Sequence, residues 1–273
     1  MMQIDKDALS LTNLQLIAQL LNVQSTPLTI SLVGGGGKTH LAFWLANLFK
    51  QQGHRVCVTT TTKMYLPRPS QYDYIDSIDS FSAKPNATIT FIYQSKIQQD
   101  KENQPIKVQG LTFDDLNRVK QSNLFNVIIV EADGAKQRPI KAPAGHEPCI
   151  PEDTNIVIGV TGAEVIFSRA NPAQIHRWDE FCQLTGCSNQ KEIDHSVLKS
   201  LIENPQGMFK HAPRDALRIW VINKYDQCKQ PNALLKLANN LLAEQPQLSS
   251  IWITQLSRKA PIKKVLINKG LTK

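Results

Sequence analysis

Residues 34–39, four glycines followed by a lysine and a threonine, constrain the fold of this chain more than any other stretch. An apolar, β-branched run at 28–33 precedes them and favours a buried strand, and apolar residues recur at helical spacing over 41–49. Gly53 then stands where a helix ends. A flexible linker needs neither the strand nor the helix, whereas a phosphate-binding loop needs both. The pattern therefore predicts that this stretch, the glycine loop, binds phosphate.

The residue types of the glycine loop suit that chemistry. Backbone N–H groups of consecutive glycines form a nest that side chains would otherwise block. Lys38 would reach the β- and γ-phosphates, and the Thr39 hydroxyl would bind Mg²⁺. The usual pattern G-x-x-x-x-G-K-[ST] requires a glycine where this chain has Leu32, so the loop is two residues shorter and resembles that of Mur-type amino-acid ligases. The glycines of the predicted nest are Gly34, Gly35, Gly36 and Gly37.

Two acids follow a second apolar run, at 126–134. Glu131 and Asp133 come at the carboxyl end of this predicted strand, the edge at which ligands gather in doubly wound sheets. An acid there holds Mg²⁺ directly or through water, or orients the attacking water. We therefore expect Glu131 to join Thr39 at the metal, and Lys38, Glu131 and Asp133 to be catalytic.

A third apolar run, ending in VINKYD, resembles the guanine-recognition motif of GTPases. One carboxylate, Asp226, accepts both donors on the guanine edge, whereas adenine would leave it unpaired. Asn223 suits N7 of the base, and the stem of Lys224 lies along it. The motif predicts GTP binding, and an ordinary loop is the alternative.

Strand-like and helical patterns alternate along the whole chain, which predicts an α/β fold. We expect a mostly parallel sheet with helices on both faces. Residues 1–273 would form a single domain, with a helical insertion or subdomain around 164–217 that lacks strands. The other expected strands are 54–62, 87–93, 155–160, 217–226 and 249–254, the last in the chain, and the other expected helices are 7–22, 112–122, 172–186, 192–204 and 232–245.

Charged and hydroxyl side chains at two further places suggest a substrate pocket. One group closes the second strand, and the other follows Asp133 in a proline-stiffened loop. A rigid loop with solvated charges is the alternative. Arg177, near the start of a predicted helix, is a candidate arginine finger. The candidate pocket residues are Thr62, Lys63, Lys136, Arg138, Lys141, His146 and Glu147.

Composition bears on partners and compartment. Lys and Arg outnumber Asp and Glu by 31 to 23, and six of these basic residues follow Leu256 with no acid among them. We interpret this tail as a solvated terminus, since it lacks the interleaved aromatics of a nucleic-acid site. Five cysteines without a C-x-x-C pair indicate a reducing compartment. We expect no signal peptide and no membrane partner, and therefore a cytoplasmic protein.

Four stretches together resemble the YqeC family: VGGGGKTHLAFWLA, VTTTTKMYLP, VIIVEADGAKQRPIKAPAGHEPCIP and VINKYD. They run in order from about residue 28 to 226, and the third is the most specific. The resemblance implies a P-loop NTPase fold and an accessory role for a selenium-dependent molybdenum hydroxylase, with that hydroxylase or a cofactor-handling protein as partner. NTPases of this type are often homodimers. His40 departs from the family, which usually has a second threonine there.

The motifs and the resemblance favour a Mg²⁺-dependent GTPase that assists maturation or insertion of a selenium or molybdenum cofactor. An ATP-dependent small-molecule kinase or ligase is the alternative that the short loop suggests. A nucleic-acid-binding module is a third hypothesis, suggested only by the basic composition. The acceptor, and whether hydrolysis needs a partner, stay open at this point.

Overall fold

The computed structural model describes residues 27–85, 88–97 and 105–268. The predicted helix at 7–22 lies outside them. Within the described residues the helices are α1 (Lys38–Gln51), α2 (Phe113–Gln121), α3 (Trp178–Thr185), α4 (His195–Glu203) and α5 (Pro231–Glu244). The strands are β1 (Leu28–Gly34), β2 (Val56–Thr60), β3 (Met64–Tyr65), β4 (Tyr74–Ser77), β5 (Ile89–Tyr93), β6 (Ser95–Lys96), β7 (Lys107–Gln109), β8 (Val127–Glu131), β9 (Ile140–Lys141), β10 (Ile156–Gly162), β11 (Ile175–His176), β12 (Leu217–Asn223), β13 (Ser250–Thr254) and β14 (Ile262–Ile267).

Nine of these strands form the main sheet, in the order β14-β13-β12-β10-β1-β8-β2-β5-β4. Every neighbouring pair is parallel except β13 and β14. The short strands pair separately, β9 with β11 and β3 with β7 and β6. The fold is therefore α/β with a mostly parallel sheet, as the sequence predicts.

Helices cover both faces of the main sheet. Alternate residues of a strand point to opposite faces, and Trp220 and Val221 of β12 belong to different buried clusters. Val221 shares its cluster with α1, whereas Trp220 packs with α3, α4 and α5. On the latter face α2 packs Leu116 and Val119 against Ile128. The long apolar runs of the parallel strands follow from this burial on both sides.

Several element boundaries correct the sequence predictions. The helix expected at 172–186 begins only at Trp178, because Ile175 and His176 form β11 instead. The predicted insertion at 164–217 is therefore not free of strands: it holds α3, α4 and the short strand β11, which lies outside the main sheet, and its last residue begins β12. The strand at 249–254 is not the last, since part of the basic tail forms the edge strand β14. The edge strand β4 was not expected either.

The carboxyl ends of the parallel strands place the predicted site residues at one edge of the sheet. β1 ends at Gly34, directly before the glycine loop and α1, and β8 ends at Glu131. Asn223 ends β12 at the same edge. Among the described helices, none has both the length and the apolar character that crossing a bilayer requires.

Candidate functional site

The glycine loop is fixed against neighbouring backbone. The N–H of Gly35 donates to the Val160 carbonyl at 2.9 Å, and that of Gly36 to the Arg138 carbonyl at 3.0 Å. Gly36 has a φ of +76°, and a Cβ there would lie 2.2 Å from the nitrogen of Gly162. Side chains do not fit so close to backbone, so this glycine is required by packing as well as by conformation.

The N–H groups open to an anion belong mainly to the start of α1. Besides Gly35 and Gly36, the N–H of Gly34 is also engaged, donating to Asp133 Oδ2 at 3.0 Å. In the described chain the N–H of Gly37 has no acceptor, and no side chain caps the first turn of α1. The first N–H groups of a helix lack partners within it and lie at its positive dipole end. An anion would therefore meet this helix end rather than a nest of four glycine N–H groups.

Lys38 is buried among acceptors. Its side chain is 4% exposed, and Nζ lies 2.5 Å from the Gly34 carbonyl oxygen, 3.0 Å from Asp133 Oδ1 and 3.8 Å from Glu131 Oε1. Burial by itself lowers the pKa of Lys38, but the charges of Asp133 and Glu131 outweigh it and raise the pKa above the ordinary value. Lys38 is thus a fixed, buried cation at the start of α1.

Thr39 joins the glycine loop to the end of β8. Its hydroxyl donates to Glu131 Oε2 at 2.8 Å. Burial raises the pKa of Glu131, and the opposing influence of Lys38 and this hydrogen bond does not cancel the effect. A hydroxyl and a carboxylate side by side are hard oxygen ligands of the kind that Mg²⁺ takes together with phosphate oxygens and water. The described residues contain no group of three or more His, Cys, Asp or Glu that could hold a metal without such help.

Ion pairs continue from Lys38 into the loop after β8, and we call this series the charge chain. Asp133 contacts Lys38 through Oδ1 and Lys141 Nζ through Oδ2, the latter at 3.2 Å. Lys141 Nζ lies 2.9 Å from Glu147 Oε2, and Arg177 Nε lies 3.6 Å from the same oxygen. Burial raises the pKa of Glu147, but Lys141 and the hydrogen bonds outweigh it, so the pKa falls below the usual range. The charge chain comprises Lys38, Asp133, Lys141, Glu147 and Arg177.

The short strands β9 and β11 hold the far end of the charge chain. They pair in parallel with Lys141 opposite His176, and Ile140 opposite Ile175. His176 is 7% exposed. Burial, and then the charges of Lys141 and Arg177, lower the pKa of His176 to about 4, so its ring is neutral at pH 7.

Asn223 ties the end of β12 to the glycine loop. Its Nδ2 donates to the Gly36 carbonyl at 2.9 Å, and its Oδ1 accepts from the Thr254 hydroxyl at 3.0 Å and the Leu256 N–H at 3.1 Å. One amide hydrogen is left, which N7 of a purine can accept. The predicted base-binding and phosphate-binding segments are therefore joined by a single buried amide.

The other two residues of the predicted guanine motif are paired with charged neighbours. Asp226 Oδ2 lies 3.0 Å from Nε of Arg258, an exposed residue after β13. Lys224 has a left-handed backbone with a φ of +60° and pairs with Glu164. A guanine bound by Asp226 would compete with Arg258 for the carboxylate.

The remaining candidates for a substrate pocket lie farther from the centre of the charge chain. The N–H of Thr62 donates to Thr60 Oγ1 at 3.1 Å, and Arg138 donates to the Ile175 carbonyl at 2.6 Å. Three candidates are exposed, with no hydrogen-bond partner for the side chain among the described residues: Lys63, Lys136 and His146. The pocket role of all these residues stays a prediction.

Sequence reasoning passed over three residues of this region. His176 was assigned to a helix, although it stands beside the candidate Arg177. Thr254 ends β13, the strand next to β12, and Arg258 follows it, so the rule that parallel strands end at one edge could have drawn attention to both. Only the structure shows that they contact Asn223 and Asp226.

Comparisons with known proteins identify the family of the chain. The family model described as YqeC protein matches residues 30–179, from within β1 to the start of α3. The chain is 36% identical over 248 residues to the Uncharacterized protein YqeC of Escherichia coli (strain K12). That alignment covers 91% of this chain and 95% of the relative.

Proposed function

The chain belongs to the YqeC family, and we propose that it is a Mg²⁺-dependent nucleoside triphosphatase that prefers GTP and acts as an accessory protein in selenium or molybdenum cofactor maturation. One observation carries the nucleotide part of the proposal. The Thr39 hydroxyl bonds Glu131 at 2.8 Å beside the buried Lys38, so a loop lysine, a loop hydroxyl and a strand-end acid meet at the start of a helix.

Nucleotide binding uses the start of α1. The β-phosphate meets the N–H groups from Gly37 onward, where the helix dipole favours negative charge. Lys38 exchanges Asp133 for the β- and γ-phosphates, because a phosphate offers it more negative charge than the carboxylate does. In the unbound protein, Asp133 thus balances the positive charge of Lys38 until the nucleotide binds.

Thr39 and Glu131 would hold Mg²⁺ together with the nucleotide. The ion, when bound, would supply positive charge to the phosphate groups. Lys38 stabilises the charge that develops on the oxygen between them as its bond to the γ-phosphorus breaks. Asp133, released by Lys38, orients the water that attacks the γ-phosphorus, and the products are GDP and inorganic phosphate.

Base binding rests on Asn223 and Asp226, and base selection on Asp226 alone. The remaining amide hydrogen of Asn223 bonds N7 of either purine, so it does not choose between them. Asp226 accepts from the two guanine donors after exchanging Arg258 for the base. Adenine would leave this carboxylate without those donors, which is the physical reason for a preference for GTP.

The accessory role rests on the family resemblance. In this account, hydrolysis controls the transfer of a cofactor or anion to a molybdenum hydroxylase or a cofactor-handling protein. The cation-rich end of the charge chain supports the presence of a second, anionic ligand beside the nucleotide.

The experiment for base selection is calorimetric titration of the full chain with Mg²⁺-GTP and Mg²⁺-ATP. We expect GTP to bind at least about tenfold more tightly, a difference of about 1.4 kcal/mol. Asp226→Ala should remove the preference, whereas Asp215→Ala, an exposed acid outside the site, should keep it. Equal affinity for both nucleotides in the wild type, or a preference that survives Asp226→Ala, would contradict the base assignment.

A small-molecule kinase or ligase that uses ATP is the second candidate. The pairing of Asp226 with Arg258 favours it, since a carboxylate committed to Arg258 does not read guanine. This candidate predicts ATP preference, and a phosphorylated or ligated product in place of inorganic phosphate alone.

A further inference from the structure

The pairing of β9 with β11 creates a polar corner beside the charge chain. Ile140 and Ile175 are partners and both lie in the core. Lys141 and His176 are the next partners, and residues paired in a sheet point to the same face. The structure therefore places the side chains of Lys141 and His176 on the same face of this two-stranded unit.

His176 has no protein partner there. The residue is 7% exposed, and its ring nitrogens make no hydrogen bond to the described residues. Neither nitrogen is fully buried, so both can be reached from solvent. The groups that act on it electrostatically are Lys141, Arg177 and Lys136, with Glu147 as the carboxylate. A largely buried ring whose free nitrogens open to solvent among cations is suited to an anionic ligand.

Arg177 adds an unsatisfied donor at the same corner. Its Nε is buried without a hydrogen-bond partner in the described chain, and Glu147 Oε2 is 3.6 Å away. Its backbone is left-handed, with a φ of +61°, an uncommon conformation for a residue other than glycine. Arg138 anchors the segment through the Ile175 carbonyl. The segment that carries Arg177 is thus anchored by Arg138, and Arg177 Nε lacks a hydrogen-bond partner.

Charge balance points to the sign of the ligand. Within the charge chain and Glu131, three buried or half-buried cations face three carboxylates, so their charges cancel. Lys136 acts electrostatically on His176, and Arg138 donates to the Ile175 carbonyl; neither has a carboxylate partner in the described residues. The corner thus carries excess positive charge.

We propose that His176, Arg177 and Lys136 form a second anion site, separate from the glycine loop, that takes a tetrahedral oxyanion such as phosphate or the phosphate group of a second substrate. Donors from three side chains suit a tetrahedral group better than a planar carboxylate. The site is separate because Asp133, Lys141 and Glu147 intervene between Lys38 and Arg177. This proposal rests on the proposed function only in treating the bound anion as the second substrate.

The test is NMR titration of the histidine rings of the full chain with inorganic phosphate, with and without saturating Mg²⁺-GDP. An anion favours the charged imidazolium, so millimolar phosphate should raise the pKa of His176 by at least about one unit. The increase should persist with GDP bound. Arg177→Gln and Lys136→Gln should each weaken the phosphate effect at least about tenfold, and Arg214→Gln, an exposed arginine elsewhere, should leave it unchanged.

Several results would overturn the second site. These are a His176 pKa that phosphate does not move, a change that GDP abolishes, or an equal effect of acetate. A different result would contradict the proposed function, namely that the full chain does not bind GTP. A phosphate effect at His176 in a protein that binds no nucleotide would support this site and reject the nucleotide proposal. Lys136 is exposed, so its variant reports on the site even if Arg177→Gln folds poorly.

Discussion

Replacing Asp133 by asparagine removes the negative charge that two buried lysines share. Asp133 lies 3.0 Å from Lys38 and 3.2 Å from Lys141, and all three side chains are at most 4% exposed. Asparagine keeps the size of the side chain and loses the charge. Asp133→Asn therefore isolates the electrostatic part of the charge chain.

The expected cost follows from the partners that remain. Breaking a buried ion pair typically costs about 3–5 kcal/mol, because the other charge stays buried. Lys38 keeps Glu131 at 3.8 Å, and Lys141 keeps Glu147 at 2.9 Å. These contacts place the loss at the lower end, about 3 kcal/mol, which corresponds to a fall in Tm of roughly 6–12 °C for a domain of this size class.

The assay is reversible unfolding by urea and heat, with Asp153→Asn as the matched control. Asp153 pairs with Lys120, but its side chain is 61% exposed, so its loss should change the free energy of unfolding by less than about 0.5 kcal/mol. Saturating Mg²⁺-GTP should stabilise Asp133→Asn more than the wild type, since the phosphate replaces Asp133 as the partner of Lys38. Unchanged stability of Asp133→Asn, or equal stabilisation of both proteins by nucleotide, would refute the reasoning.

Other variants test separate parts of the account. Asn223→Ala leaves three polar groups without their partner, two of them buried, so we expect unfolding measurements to show a loss of about 2–3 kcal/mol and calorimetry to show weaker GTP and ATP binding; Asn239→Ala, on an exposed helix face, should alter neither. Gly36→Ala should abolish nucleotide binding because its Cβ meets backbone at 2.2 Å, whereas Gly53→Ala, also at positive φ but with open space around it, should retain binding; equal losses would contradict the packing argument. The pKa of His176 is lowered from 6.5 to about 4. The stability that its neutral ring allows is therefore fully present above pH 6.5, and the free energy of unfolding falls by up to about 1.4 kcal/mol per pH unit as the pH drops towards 4. The free energy of unfolding should depend less on pH in His176→Asn than in the wild type, and identical pH profiles of the two proteins would refute this assignment.

The main sheet was largely predictable because its central strands are buried on both faces. Seven continuous apolar runs in the sequence correspond to seven of its parallel strands. The edge strands β4 and β14 carry no such signal. In β14, Lys263 and Lys264 are exposed, and charged residues of this kind protect a sheet edge from pairing with other chains. The lysine-rich composition of β14 therefore suggested a solvated tail.

The meeting of Thr39 with Glu131 was also predictable, since parallel strands end at one edge of a sheet. The far end of the charge chain was not. Lys141 and His176 meet through two-residue strands, and such pairing depends on tertiary packing rather than on a local pattern. The helical spacing around His176 pointed to α3, which begins only after Arg177.

Titration of Mg²⁺-GTP into the wild type and into Lys38→Ala tests the central claim most directly. Lys50→Ala is the control, because Lys50 is at the exposed end of the same helix and pairs only with a surface acid, Asp73, among the described residues. We predict binding to the wild type and Lys50→Ala, and a loss of at least about 100-fold in Lys38→Ala, near 2.7 kcal/mol. Wild-type affinity in a folded Lys38→Ala protein would contradict the claim that the glycine loop binds the nucleotide.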